Sequence, residues 1–113
     1  MTRRTRPGSV AVAVGYLRVS TDRQELGPEA QRASIEQWAT ASSVTVAAWF
    51  TDTVSGASEL SDRPGLAAAL AALRAHGAGV LVVARRDRLA RDVAVAAAIT
   101  RATEQCGARV VSA

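Results

Sequence analysis

Ser20 and Arg18 lie two residues apart at the end of an apolar run, and a later charged segment reads Arg85-Arg86-Asp87-Arg88-Leu89-Ala90-Arg91-Asp92. A hydroxyl set among guanidinium groups suits phosphoryl transfer: the serine oxygen attacks phosphorus, and the cations hold the charge that builds on the phosphoryl oxygens. If extended backbone continues to Ser20, the two-residue alternation puts Arg18 and Ser20 on one side. A spacing of three at a helix start puts Arg88 and Arg91 on one face, with Asp87 placed to cap that helix or to handle a proton. One guanidinium about 4 Å from a phosphate oxygen contributes on the order of 4 kcal/mol at an effective dielectric near 20, before desolvation, and about 1.4 kcal/mol is a decade in rate. A cluster of arginines can therefore stabilise a pentacoordinate phosphorus without a metal, and Arg63, beside an intervening loop, would complete the cage. The one histidine, His76, ends a helical pattern next to Gly77, far from Ser20, which argues against a Ser-His-Asp arrangement. Each feature also has a purely structural reading, with Ser20 and Thr21 as turn residues, Asp62 and Asp87 as helix caps and the arginines as a solvated run. It is their joint arrangement that points to chemistry.

The elements that must position these residues follow from apolar patterning. Residues 10–17 are β-branched and apolar without helical period, as in a strand buried on both faces. Pro28 and Glu29 open a helix running to about Ala41, with Ala30, Ala33, Gln37 and Trp38 along one face. A second strand is expected over about 45–51 and a Ser-, Gly- and Asp-rich loop over 52–61. Asp62 is positioned to cap the next helix, in which Leu66, Ala69, Leu70 and Leu73 share a face and Gly77 marks the end. Residues 79–84 form a third buried strand. The charged turn then leads into a helix to about Cys106 with Val95, Ile99, Ala102 and Cys106 in register, and 108–112 begin a fourth strand. Strands alternating with helices predict a three-layer α/β/α fold with a mainly parallel four-stranded sheet and right-handed crossovers. Functional groups in such sheets gather beyond the carboxyl ends of the strands, where the loops bearing Arg18, Asp52 and Arg85 emerge.

At 113 residues and 49% hydrophobic, the chain fits one domain, read as 10–113 behind a disordered basic tail of residues 1–9. Without Arg3, Arg4 and Arg6 in that tail, the 14 basic residues fall to 11 against 10 acidic ones, so the net charge of +4 becomes +1. Overall charge is thus weak support for nucleic-acid binding, and position is stronger: Arg18, Arg23, Arg63, Arg85, Arg86, Arg88 and Arg91 all fall at or beside three loops. No apolar run approaches a membrane span or a signal peptide, which predicts a cytoplasmic protein with no membrane partner. Cys106 is alone and no Cys/His cluster has metal-ligand spacing, so neither metal nor cofactor is expected.

Three blocks together resemble a known family. Gly15-Tyr16-Leu17-Arg18-Val19-Ser20-Thr21 with Gln24 resembles the nucleophile motif of serine site-specific recombinases of the resolvase/invertase type. Asp52-Thr53-Val54-Ser55-Gly56, followed by Asp62-Arg63-Pro64-Gly65-Leu66, is similar to the family's second active-site loop, and Asp87-Arg88-Leu89-Ala90-Arg91-Asp92 to its third. The resemblance implies that Ser20 attacks a DNA phosphodiester, forming a 5′-phosphoserine link and releasing a 3′-hydroxyl. It implies that Arg18, Arg88 and Arg91 activate the serine and stabilise the transition state and that Arg63 binds the scissile phosphate. Asp87 would serve the same site, with Gln24, Ser55, Asp62 and Arg85 supporting it or touching DNA. Bond energy is kept in the covalent intermediate, so neither ATP nor a metal is implied; the partners implied are DNA and other recombinase subunits. Family members continue past a fourth strand into a long helix and a DNA-binding region, so the domain is expected to be incomplete at its C-terminus, with an exposed last strand that favours association. Two other readings stand beside this one. The first is a noncatalytic recombinase remnant that binds DNA or a recombinase subunit. The second is a flavodoxin-like small-ligand module, for which the first loop lacks a Gly-rich phosphate cradle.

Overall fold

A computed structural model of the chain describes residues 7–20 and 27–113, apart from the side chains of Asp87 and Arg88. The elements run in the order β1 (Ser9–Val19), α1 (Pro28–Ala41), β2 (Thr45–Thr53), a 3₁₀ turn (Leu60–Asp62), α2 (Pro64–His76), β3 (Ala78–Val83), α3 (Arg86–Leu89), α4 (Val93–Gln105) and β4 (Arg109–Ser112). All three strand pairings are parallel and the sheet order is β2-β1-β3-β4. The expected α/β class and parallel four-stranded sheet are what the chain adopts. β1 starts one residue before the expected boundary, and Gly8 and Ser9 already donate to the Gly107 and Gly77 carbonyls.

The alternation of β1 builds two cores. Val14 and Tyr16 face one side, packing with Leu66, Ala69 and Leu73 of α2 and Val95 and Ile99 of α4. Ala13 and Leu17 face the other, packing with Ile35 of α1. The chain therefore forms three layers, with α1 on one face and α2 and α4 on the other. From β1 the chain steps to β2 on one side, then crosses back to β3 and β4 on the other. With right-handed crossovers this reversal requires helices on opposite faces, and it leaves a crevice at the carboxyl ends of β1 and β3.

Three local expectations need correction. The buried face of α1 is Gln31, Ile35 and Ala39, while Ala30, Ala33 and Gln37 are exposed and Trp38 is half-buried. Gln31 is turned inward because its Nε2 donates to the Arg18 carbonyl at 3.0 Å, satisfying a polar group that burial would otherwise penalise. The helix expected from the charged turn to Cys106 is two helices. α3 ends at Leu89, Ala90 is extended (φ −151°, ψ 137°), and α4 starts at Val93 with Asp92 as its cap, accepting from the amides of Ala94 (2.7 Å) and Val95 (3.3 Å). A cap residue takes non-helical φ/ψ, so Asp92 itself enforces the break. Its buried stripe is Val95, Ile99 and Thr103, with Ala102 and Cys106 at its margin. Third, α2 is not capped by Asp62, which is exposed; Arg63 occupies the cap position and makes no side-chain cap bond. Gly77 ends α2 as expected, in the left-handed conformation (φ 60°, ψ 33°).

Candidate active site

The crevice at the ends of β1 and β3 is lined by Tyr16, Arg18, Gln31, Val83, Ala84, Arg85 and Leu89 and encloses about 10 Å³. That is room for about one water-sized group, so anything larger meets only the outer rim. Arg18 stands on β1 opposite Asp52 of β2, is 3% exposed, and sends its Nη1 to the Val54 carbonyl at 2.9 Å. Ser20 follows β1 directly and is half-buried. The β1–β2 ladder continues to the mouth of the site, where the Val54 amide donates to the Val19 carbonyl at 3.0 Å. The second loop thus starts beside Ser20.

Arg63 is fully buried and knits the second loop to the third. Its Nε donates to the Ser58 carbonyl at 2.9 Å, its Nη2 to the Gly56 carbonyl at 3.2 Å and its Nη1 to the Leu89 carbonyl at 2.7 Å. Sequence reasoning gave this residue a phosphate; here its guanidinium is turned to backbone carbonyls, whose dipoles compensate a charge removed from water. Arg91 is exposed, and its amide donates to the same Gly56 carbonyl at 3.0 Å. Arg88 belongs to α3 and Arg91 to the link before α4, so the expected shared helical face does not exist. Arg85 is exposed at the start of α3, and Ser55 is exposed with its Oγ accepting from the Ala57 amide at 3.1 Å. Gln24 lies outside the described residues, as do the side chains of Asp87 and Arg88. His76 is exposed in the last turn of α2.

One residue that sequence reasoning passed over organises the floor of the site. Asp52 is 4% exposed and accepts from the Tyr16 hydroxyl (2.8 Å), the Gly65 amide (2.7 Å) and the Leu66 amide (2.8 Å). It is the cap of α2, supplied from the end of β2 rather than from the preceding loop. Pro64 at the first helical position has no amide to satisfy, and a Cβ on Gly65 would lie 2.8 Å from Asp52 Oδ1, so the Pro-Gly pair is what admits the carboxylate. Burial, then the hydrogen bond to Asp52, push the Tyr16 hydroxyl far above the ordinary tyrosine range, which keeps it a donor. Asp62 offers itself locally as the cap, so no signal in the sequence pointed past it to Asp52.

The sequence profile of the Resolvase, N terminal domain family matches residues 13–113. The chain belongs to that family. Solved structures similar to this resolvase domain include the C-terminal catalytic domain of ISC1926 TnpA, an IS607-like serine recombinase, at 26% identity and a TM-score of 0.74, covering 89% of this chain and 68% of that one. The C-terminal catalytic domain of IS1535 TnpA, another IS607-like serine recombinase, is 30% identical with a TM-score of 0.65, covering 88% and 68%. The N-terminal catalytic domain of TP901-1 integrase, at 22% identity, shares the fold with a TM-score of 0.77 over 89% of this chain and 75% of that one. No curated protein matches the chain in sequence. The recognised family and the α/β fold therefore agree with serine-recombinase catalytic domains. Among the described residues, no helix is long and apolar enough to cross a membrane.

Proposed function

We propose that this resolvase domain carries out the strand-cleavage and rejoining chemistry of site-specific DNA recombination, with Ser20 as nucleophile. Ser20 Oγ attacks a DNA phosphorus, the Oγ–P bond forms as the bond to the 3′ oxygen breaks, and the strand end is held as a 5′-phosphoserine. Reversal with a different 3′-hydroxyl reseals DNA without an external energy source. The serine proton is assigned to Asp87, the carboxylate of the third loop, and the same proton goes to the departing 3′ oxygen. Arg18, Arg88 and Arg91 face the charge that develops on the phosphoryl oxygens, each interaction strengthening as the transition state forms. Arg63 keeps the second and third loops in register, and Gln24, Ser55, Asp62 and Arg85 line the approach for DNA. DNA and further recombinase subunits are the partners, and the cytoplasm is the compartment. What supports this reading is the strand order, which sets the Arg18 end of β1 beside Ala84, Arg85 and Leu89 of the third loop, together with the Val54–Val19 bond that starts the second loop next to Ser20.

A small phosphodiester tests this without knowledge of the DNA site. With thymidine 5′-p-nitrophenyl phosphate, attack by Ser20 expels p-nitrophenolate and leaves thymidylate on the enzyme. The expected result is a burst of p-nitrophenolate and one thymidylate mass on the peptide containing Ser20, both absent in Ser20→Ala. Release that persists in Ser20→Ala, or an adduct on another residue, would refute the assignment.

A further inference from the structure

Gly56 is buried in the second loop, and its backbone is not in the left-handed region: among the described residues only Gly77 and Gly107 are glycines of positive φ. Conformational freedom is therefore not what this position requires. Space is. A Cβ built on Gly56 would lie 2.7 Å from Arg91 Cγ, 3.3 Å from Arg91 Cδ and 3.3 Å from the Arg91 amide nitrogen. The Gly56 carbonyl also receives the Arg91 amide (3.0 Å) and Arg63 Nη2 (3.2 Å). One residue thus fixes the Arg91 backbone by hydrogen bonding and the first half of its side chain by leaving room for it.

We infer that Gly56 is the positioning residue for Arg91, aiming its guanidinium from the second loop. The inference rests on the reading above only in giving Arg91 a phosphate to meet. Carbon atoms pack at about 3.5–4.0 Å, so a methyl group at Gly56 must displace Arg91 Cγ by roughly an ångström. Cγ lies close to the main chain, and a shift there swings the guanidinium, several bonds further out, through a larger arc. A misplacement of about 1 Å at a reacting centre costs on the order of 10²-fold in rate.

The test uses Gly56→Ala, Arg91→Ala and the double variant, each with the thymidine ester above, with thermal melting, and with ¹⁵N–¹H spectra in which the Arg91 Nε–Hε resonance is assigned by its loss in Arg91→Ala. Gly56→Ala should lower the p-nitrophenolate burst rate about 100-fold and move the Arg91 Nε–Hε resonance. In the Arg91→Ala background the same substitution should cost nothing further, because the residue it acts through is gone. Equal losses in the two backgrounds, or an unmoved Arg91 resonance in Gly56→Ala, would overturn the inference. Should Gly56→Ala fail to fold, the double variant, which lacks Cγ and Cδ, must recover a cooperative melt; if it does not, the obstacle is backbone and the inference fails. If the wild-type protein releases no p-nitrophenolate at all, the proposed chemistry falls while the spectra still decide what Gly56 does.

Discussion

Asp52 collects donors from two distant stretches, Tyr16 of β1 and the adjacent Gly65 and Leu66 of α2, so its removal is felt on two elements at once. Asp52→Asn replaces one acceptor oxygen with an NH₂ that must face an amide or a hydroxyl donor; we expect unfolding in urea to show a loss of about 2–3 kcal/mol, and a loss near zero would mean the three bonds are not made. Tyr16 gives an optical handle, being the chain's single tyrosine. Its folded-state ionisation is raised above the ordinary value of 10.0, so its contribution to stability is intact below pH 10 and declines as pH climbs above it. Tyrosinate absorbance should therefore stay low past pH 10 in the folded protein and rise together with alkaline unfolding. Titration at the ordinary value while the fold persists would contradict the buried Tyr16–Asp52 bond. At this scale the position of Ser20 and Arg18 at the end of β1 was legible from type and spacing. Asp52 was not, because a cap delivered across 13 residues lies beyond any local window.

Strands and the end of α2 were more legible than helix starts and the face of α1. β3 and residues 10–17 of β1 show themselves as apolar runs, and Gly77 stops α2 because only a residue without Cβ takes its conformation freely. The face of α1 was misassigned because Gln31 is polar by type and buried by circumstance, its amide answering a carbonyl that only the folded sheet supplies. The break between α3 and α4 was hidden by continuing apolar character, since Leu89 and Ala90 are buried although they lie outside α4. Asp92 carries that break. Asp92→Ala should cost about 1 kcal/mol in equilibrium unfolding, the usual worth of an N-cap, and should let helix propagate back toward Arg91. Unaltered stability, with amide exchange at Ala94 and Val95 no faster than in the parent, would mean the cap is idle.

Across the whole molecule, the sheet order places the crevice and also leaves β4 paired to β3 alone among the described strands. The outward Val110 carbonyl of β4 is taken by Arg86 Nη2 at 2.6 Å, so a basic side chain covers part of the rim that another strand would use. Arg86→Ala should raise self-association, seen as a larger sedimentation coefficient as concentration increases; identical sedimentation of the two proteins would show that Arg86 does not guard the rim. The same order has a meaning in time. β1 is made first yet ends as an interior strand, so it leaves the ribosome before β2 and β3 exist to flank it. Its eleven residues, SVAVAVGYLRV, contain the kind of apolar, β-branched stretch that pairs with its own copies on neighbouring nascent chains. Arg18 is the only charge among them. Whatever it does in the folded protein, Arg18 thus puts one like charge on every copy of the strand that carries it, a gatekeeper's position until the rest of the sheet arrives.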